Sequence, residues 1–115
     1  MRLIHHYNVT AIMKAFIDRL YCFYVFSPQR PDTWYSKLAD KGRKAALAAV
    51  GEQNDRKDMG FTLEAMRLPL EALGYEVVGE LAVTGIFEKG KVREKPEVLM
   101  EAEHLGIRLV KALDS

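Results

Sequence analysis

The stretch that most constrains this chain is Val9-Thr10-Ala11-Ile12-Met13-Lys14-Ala15-Phe16-Ile17-Asp18-Arg19-Leu20. At about 3.6 residues per turn, Met13, Phe16, Ile17 and Leu20 share one face, at i, i+3, i+4 and i+7. Lys14 and Asp18 share another. Thr10 stands just ahead of the apolar rhythm, where its hydroxyl can accept from the first free helix amides. The pattern predicts an amphipathic helix with Phe16 and Ile17 as core positions, entered through the polar loop His5-His6-Tyr7-Asn8. The start of such a helix carries unpaired N–H groups and partial positive charge, which suits an electron-rich or anionic ligand.

A chain of 115 residues is expected to form one domain over 1–115, large enough to bury a core. Its 17 basic side chains against 16 acidic ones leave a formal net charge of +1, which argues against a nucleic-acid partner. No apolar run approaches the roughly 20 residues that span a bilayer, and Met1 to Tyr7 has no apolar signal core. A cytoplasmic protein is expected. His5 and His6 are adjacent and would point to opposite faces of a strand, so both read as loop histidines rather than metal ligands. The single cysteine, Cys22, allows no internal disulfide, and its apolar, aromatic surroundings disfavour the thiolate.

Tyr21-Cys22-Phe23-Tyr24-Val25-Phe26 is expected to extend the helix until Pro28 stops it, with a loop over Ser27 to Asp32. Aromatics so dense outside a regular core segment, with Trp34 and Tyr35 following, suggest a subunit interface or the wall of a planar-ligand pocket. Lys44 to Val50 is a short apolar run between Gly42 and Gly51 and reads as a strand buried on both faces, with a helix as the competing reading. Gly51 to Asp55 is then a loop at the carboxyl end of that strand, where open α/β sheets place ligands. Phe61, Ala65, Leu68 and Ala72 mark a second amphipathic helix, with Pro69 inside it to kink it or weaken one turn and Gly74 as the left-handed residue beyond its end. Tyr75 to Val83 reads as a second strand and Ile86 to Gly90 as a loop. A last helix starts near Pro96 and buries Val98, Ala102, Leu105, Leu109 and Ala112, with Gly106 allowing close approach to a neighbour. Helix, strand, helix, strand, helix demands a parallel sheet with right-handed crossovers.

Asn8-Val9-Thr10-Ala11 followed by Met13-Lys14-Ala15-Phe16-Ile17-Asp18-Arg19 resembles the loop and third helix of the flavodoxin-fold NADPH-dependent FMN reductases and their iron–sulfur flavoprotein relatives. Members of that family read Pro-x-Tyr, a short loop, then Lys-x-Phe-Ile-Asp-Arg; here Leu3-Ile4-His5 takes the place of Pro-x-Tyr. The resemblance implies a partial flavodoxin-like, doubly wound parallel sheet in αβαβα order, running from the family's third helix to its fifth. The family's phosphate-binding loop has no counterpart in this sequence. A two-stranded parallel sheet needs completion, so a homo-oligomer, or a second chain supplying the first half, is expected.

The resemblance also implies FMN as cofactor. His6, Tyr7, Asn8 and Val9 before the first helix, and Gly51 with Glu52 after the first strand, would line the flavin ring. Backbone amides would bond its polar edge, and His6 or Tyr7 would stack on its face. No catalytic side chain is implied, because hydride transfer runs through the flavin itself. Two functions are thus expected as alternatives: an FMN-dependent oxidoreductase-like protein, or a non-catalytic assembly subunit that keeps the fold and does not bind flavin by itself.

Overall fold

Helix α1 spans Ala11–Arg19, and Thr10 caps it by accepting from the Met13 amide at 3.2 Å. The structure is a computed structural model that describes residues 4–5, 7–28 and 34–114. Ahead of α1, strands β1 (Ile4–His5) and β2 (Asn8–Val9) pair antiparallel where the sequence predicts only a polar loop. Met13 and Ile17 pack against the core, whereas Phe16 is 58% exposed, which corrects its assignment as a core residue. Successive residues sit about 100° apart around a helix, and α1 meets the rest of the chain along its Met13–Ile17 line. Phe16 lies on the flank of that line.

The aromatic run does not prolong α1. After one 3-10 turn over Leu20–Phe23, Tyr24–Phe26 forms strand β3, which pairs antiparallel with β4 (Trp34–Ser36). β-Branched and aromatic residues fit the pleated surface of a strand better than a continuing helix. Of the loop expected over Ser27 to Asp32, residues 29–32 lie outside the described residues.

Strand β5 (Lys44–Val50) and strand β6 (Glu76–Val83) form a two-stranded parallel sheet, as the apolar run and the alternating order predict. The register slips at Val78, which lies between the partners of Ala45 and Ala46. Neighbouring residues of a strand point to opposite faces. Glu80 faces helix α2 (Thr62–Ala72), where Arg67 holds it, and Gly79 faces helix α3 (Pro96–Leu113). The sheet is therefore layered between α2 and α3. A Cβ at Gly79 would meet Leu105 and Arg108 of α3, so the close approach expected at Gly106 occurs at Gly79 instead. Ala48, on that same face of β5, remains exposed.

The core on the α2 side consists of Leu47, Ala49, Met59, Leu63 and Met66, backed by Val9, Met13, Ile17 and Leu70. α2 thus buries Leu63 and Met66 and half-buries Leu70, with Leu73 buried beyond its end, and leaves Phe61, Leu68 and Ala72 exposed. Both sets recur at helical spacing, and the sheet accepts the one that also places Thr62 inside, donating to the Met59 carbonyl at 2.6 Å. Pro69 lies within α2, and Gly74 follows it at φ 100, as expected. On α3, Val98, Leu105, Leu109 and Ala112 are half-buried and Ala102 is exposed. The architecture is mixed α/β. Its radius of gyration, 16.2 Å, exceeds the about 13 Å of a compact chain of this length.

Candidate functional site

Two features could take a ligand: the loops implicated by the sequence, and an aromatic groove on the far side of α1. Tyr7 occupies the left-handed region at φ 67 between β1 and β2, with an exposed ring. Its carbonyl accepts from the Phe61 amide at 2.8 Å. Gly60, at φ 56, fits directly beneath this turn, since a Cβ there would collide with Tyr7. A side chain at Gly60 would therefore suffer both steric overlap and backbone strain.

The loop before α1 consequently reaches the segment after β5 at Gly60 and Phe61, not at Gly51 and Glu52. Asn8 is exposed and turns its side-chain oxygen onto the Val9 amide at 2.8 Å. The Gly51 amide donates to the Val83 carbonyl at 2.7 Å, and the Gly51 carbonyl accepts from Ile86 at 3.1 Å. Glu52 is half-buried, and His6 lies outside the described residues. Among the amides expected to face a ring edge, those of Val9 and Gly51 are thus engaged within the chain. The sequence assigns Gly60 no role and marks Phe61 only as the first apolar position of the second helix; the signal for the contact is a glycine directly before that helix.

Below the turn lies a cavity of about 110 Å³ with Gly60 at its edge. Arg67 of α2 donates to Glu80 of β6 there at 2.7 Å, and Arg56 approaches the other carboxylate oxygen at 3.7 Å. The hydrogen bond to Glu80 holds the Arg67 guanidinium pKa above its ordinary value, reinforced by the negative charges of Glu80, Glu71 and Glu64. Two guanidinium groups thus face one carboxylate, and the Arg67–Glu80 pair joins α2 to β6.

The larger groove, about 790 Å³, runs between α1, the β3–β4 hairpin and α2. Ile17, Tyr21, Tyr24, Phe26, Trp34 and Pro69 supply its apolar walls, and the Lys14–Asp18 ion pair lies on its rim. Tyr24 is central, with ring centroids 5.5 Å from Tyr21 and 5.4 Å from Trp34, both edge-on. Burial, then the neighbouring Tyr21, raises the Tyr24 phenol pKa above its ordinary value. A groove of this size is within the range of small-molecule sites. The aromatic segment was legible as interface or pocket wall, and the groove is compatible with either use.

No family model, curated protein or solved structure matches the chain. Chemistry must therefore be argued from the residues. Among the described residues no group of three His, Cys, Asp or Glu side chains could hold a metal ion. Cys22 is exposed rather than enclosed by aromatics. No helix among the described residues is long and apolar enough to cross a membrane.

Proposed function

We propose that this chain is a non-catalytic assembly subunit of flavodoxin-like α/β type, whose apolar faces are covered by a second protein chain. One observation carries this reading. The chain exposes 8272 Å², whereas a folded monomer of its mass exposes about 6,400 Å². The excess, roughly 1,900 Å², is more than one partner contributes to an interface of standard size, about 800 Å². Exposed large side chains occur on α1 (Ile12, Phe16), on the hairpin (Trp34, Tyr35) and along α3 (Met100, Val110, Leu113). Among the described residues β5 and β6 are each paired on one side only, and unpaired edges invite another strand. Light scattering on the purified protein tests the reading: a molar mass of at least twice 13.1 kDa is expected. A folded monomer at micromolar concentration would overturn it.

A second reading, an FMN-dependent oxidoreductase of the NADPH-dependent FMN reductase type, is favoured by the Tyr7–Phe61 contact. That contact brings the loop at the start of α1 against the segment following β5. The sequence offers no Gly-rich or Ser/Thr-rich turn to cradle the phosphate, and each charge-assisted hydrogen bond to such a group contributes about 1.5–3 kcal/mol. Titration of the protein with FMN and with riboflavin separates the two readings. Stoichiometric FMN retained through purification would establish the redox one.

A further inference from the structure

The side of α3 that faces away from the sheet is apolar along most of its length. Leu99, Gly106, Val110 and Leu113 fall in one line along the helix, at i, i+7, i+11 and i+14, with Met100 and Ile107 beside them. The five large side chains are between 44% and 59% exposed. This surface points outward because Leu105 and Arg108 are the residues that reach Gly79 on the sheet. A Cβ at Gly106 would meet nothing within 4 Å, so the middle of the outer face is a shallow saddle. Glu103 in the first half of α3 and Lys111 in its second border the outer face, whereas Arg108 turns toward Gly79 on the sheet. Neither Glu103 nor Lys111 forms an ion pair among the described residues.

We propose that the outer face of α3 is the contact with a second copy of this chain, packed antiparallel with the twofold axis beside Gly106 and Ile107. This rests on the assembly reading above and names its surface. Antiparallel packing sets Glu103 against Lys111 and opposes the two helix dipoles; parallel packing would set each of these charges against its own like. Glu103 lies four residues before Ile107 and Lys111 four after. A twofold axis at Ile107 therefore places each Glu103 against Lys111 of the second copy. The missing side chain at Gly106 lets the two backbones approach. A contact of about 800 Å² per partner fits within the surplus surface. A second copy always carries the matching Glu103 and Lys111, placed symmetrically about Ile107, which favours it over an unrelated partner.

Charge reversal tests this. Glu103→Lys and Lys111→Glu are each expected to weaken self-association at least about tenfold in sedimentation. The double variant is expected to restore it. Both positions are exposed, and circular dichroism checks that each variant is folded. In a Cys22→Ser background, Ile107→Cys is expected to form a covalent dimer on oxidation. If the protein self-associates but neither reversal changes its Kd and Ile107→Cys does not cross-link, the α3 contact is overturned and the assembly reading stands. If the wild-type chain is a folded monomer throughout, both are overturned.

Discussion

Ser36 Oγ donates a hydrogen bond to the Leu73 carbonyl at 2.7 Å, and both residues are buried. The same oxygen accepts from the Leu38 amide at 3.1 Å. One hydroxyl therefore ties the β3–β4 hairpin to the end of α2. Ser36→Ala removes a partner from a buried carbonyl and from a buried amide, at about 1–3 kcal/mol for each group left unsatisfied. A loss of about 2 kcal/mol in urea unfolding is expected. An unchanged midpoint would mean that the hairpin is not anchored at this point.

Leu73 and Phe16 should behave oppositely. Leu73 is 1% exposed, and Leu73→Ala is expected to cost about 2–5 kcal/mol through lost burial and a residual cavity. Phe16 lies on the exposed flank of α1, and Phe16→Ala is expected to cost less than about 1 kcal/mol of the chain's own folding energy. Denaturant unfolding of the two variants side by side checks the contrast. A large loss at Phe16 would place that face inside a core.

The regular elements were legible where sequence period and local punctuation agreed. Lys44–Val50 was readable as a strand because glycines bound a run too short for a helix, and Pro96 marked the start of α3. The stripe of α2 was not, because Phe61-Ala65-Leu68-Ala72 and Leu63-Met66-Leu70-Leu73 both satisfy helical spacing and only the sheet decides between them. The hairpin was hidden for another reason: three-residue strands are too short to show alternation. At the candidate site, the start of α1 was legible from Thr10, but the meeting of Tyr7 with Gly60 and Phe61 is a long-range contact that no local pattern encodes.

Gly60→Ala tests that meeting. The substitution forces a side chain into a left-handed backbone and against Tyr7. Strain of this kind costs of order 1–3 kcal/mol, and relieving it would require the Tyr7 turn to leave Phe61. Reduced stability is expected, together with faster hydrogen exchange at the Phe61 amide. Unaltered exchange there would show that the turn is not seated on Gly60.

The Tyr24 phenol pKa is raised, first by burial and then by Tyr21. The folded chain therefore holds this proton more tightly than the unfolded chain does. The stabilisation is fully present below the ordinary phenol pKa of about 10 and is lost as pH rises through the higher folded value. Tyr24→Phe is expected to flatten the alkaline decline of unfolding free energy relative to the parent. Equal slopes in the two proteins would remove Tyr24 from that decline.

Coupling between folding and assembly is the most direct consequence of a chain that exposes more surface than a monomer of its mass. Species that associate only when folded become more stable as protein concentration rises, by mass action. Thermal unfolding over a wide series of protein concentrations measures this coupling without identifying any particular contact. A midpoint that climbs steadily with concentration is expected. A midpoint that is the same at every concentration, with reversible two-state unfolding of a monomer, would contradict the proposal that this chain is an assembly subunit.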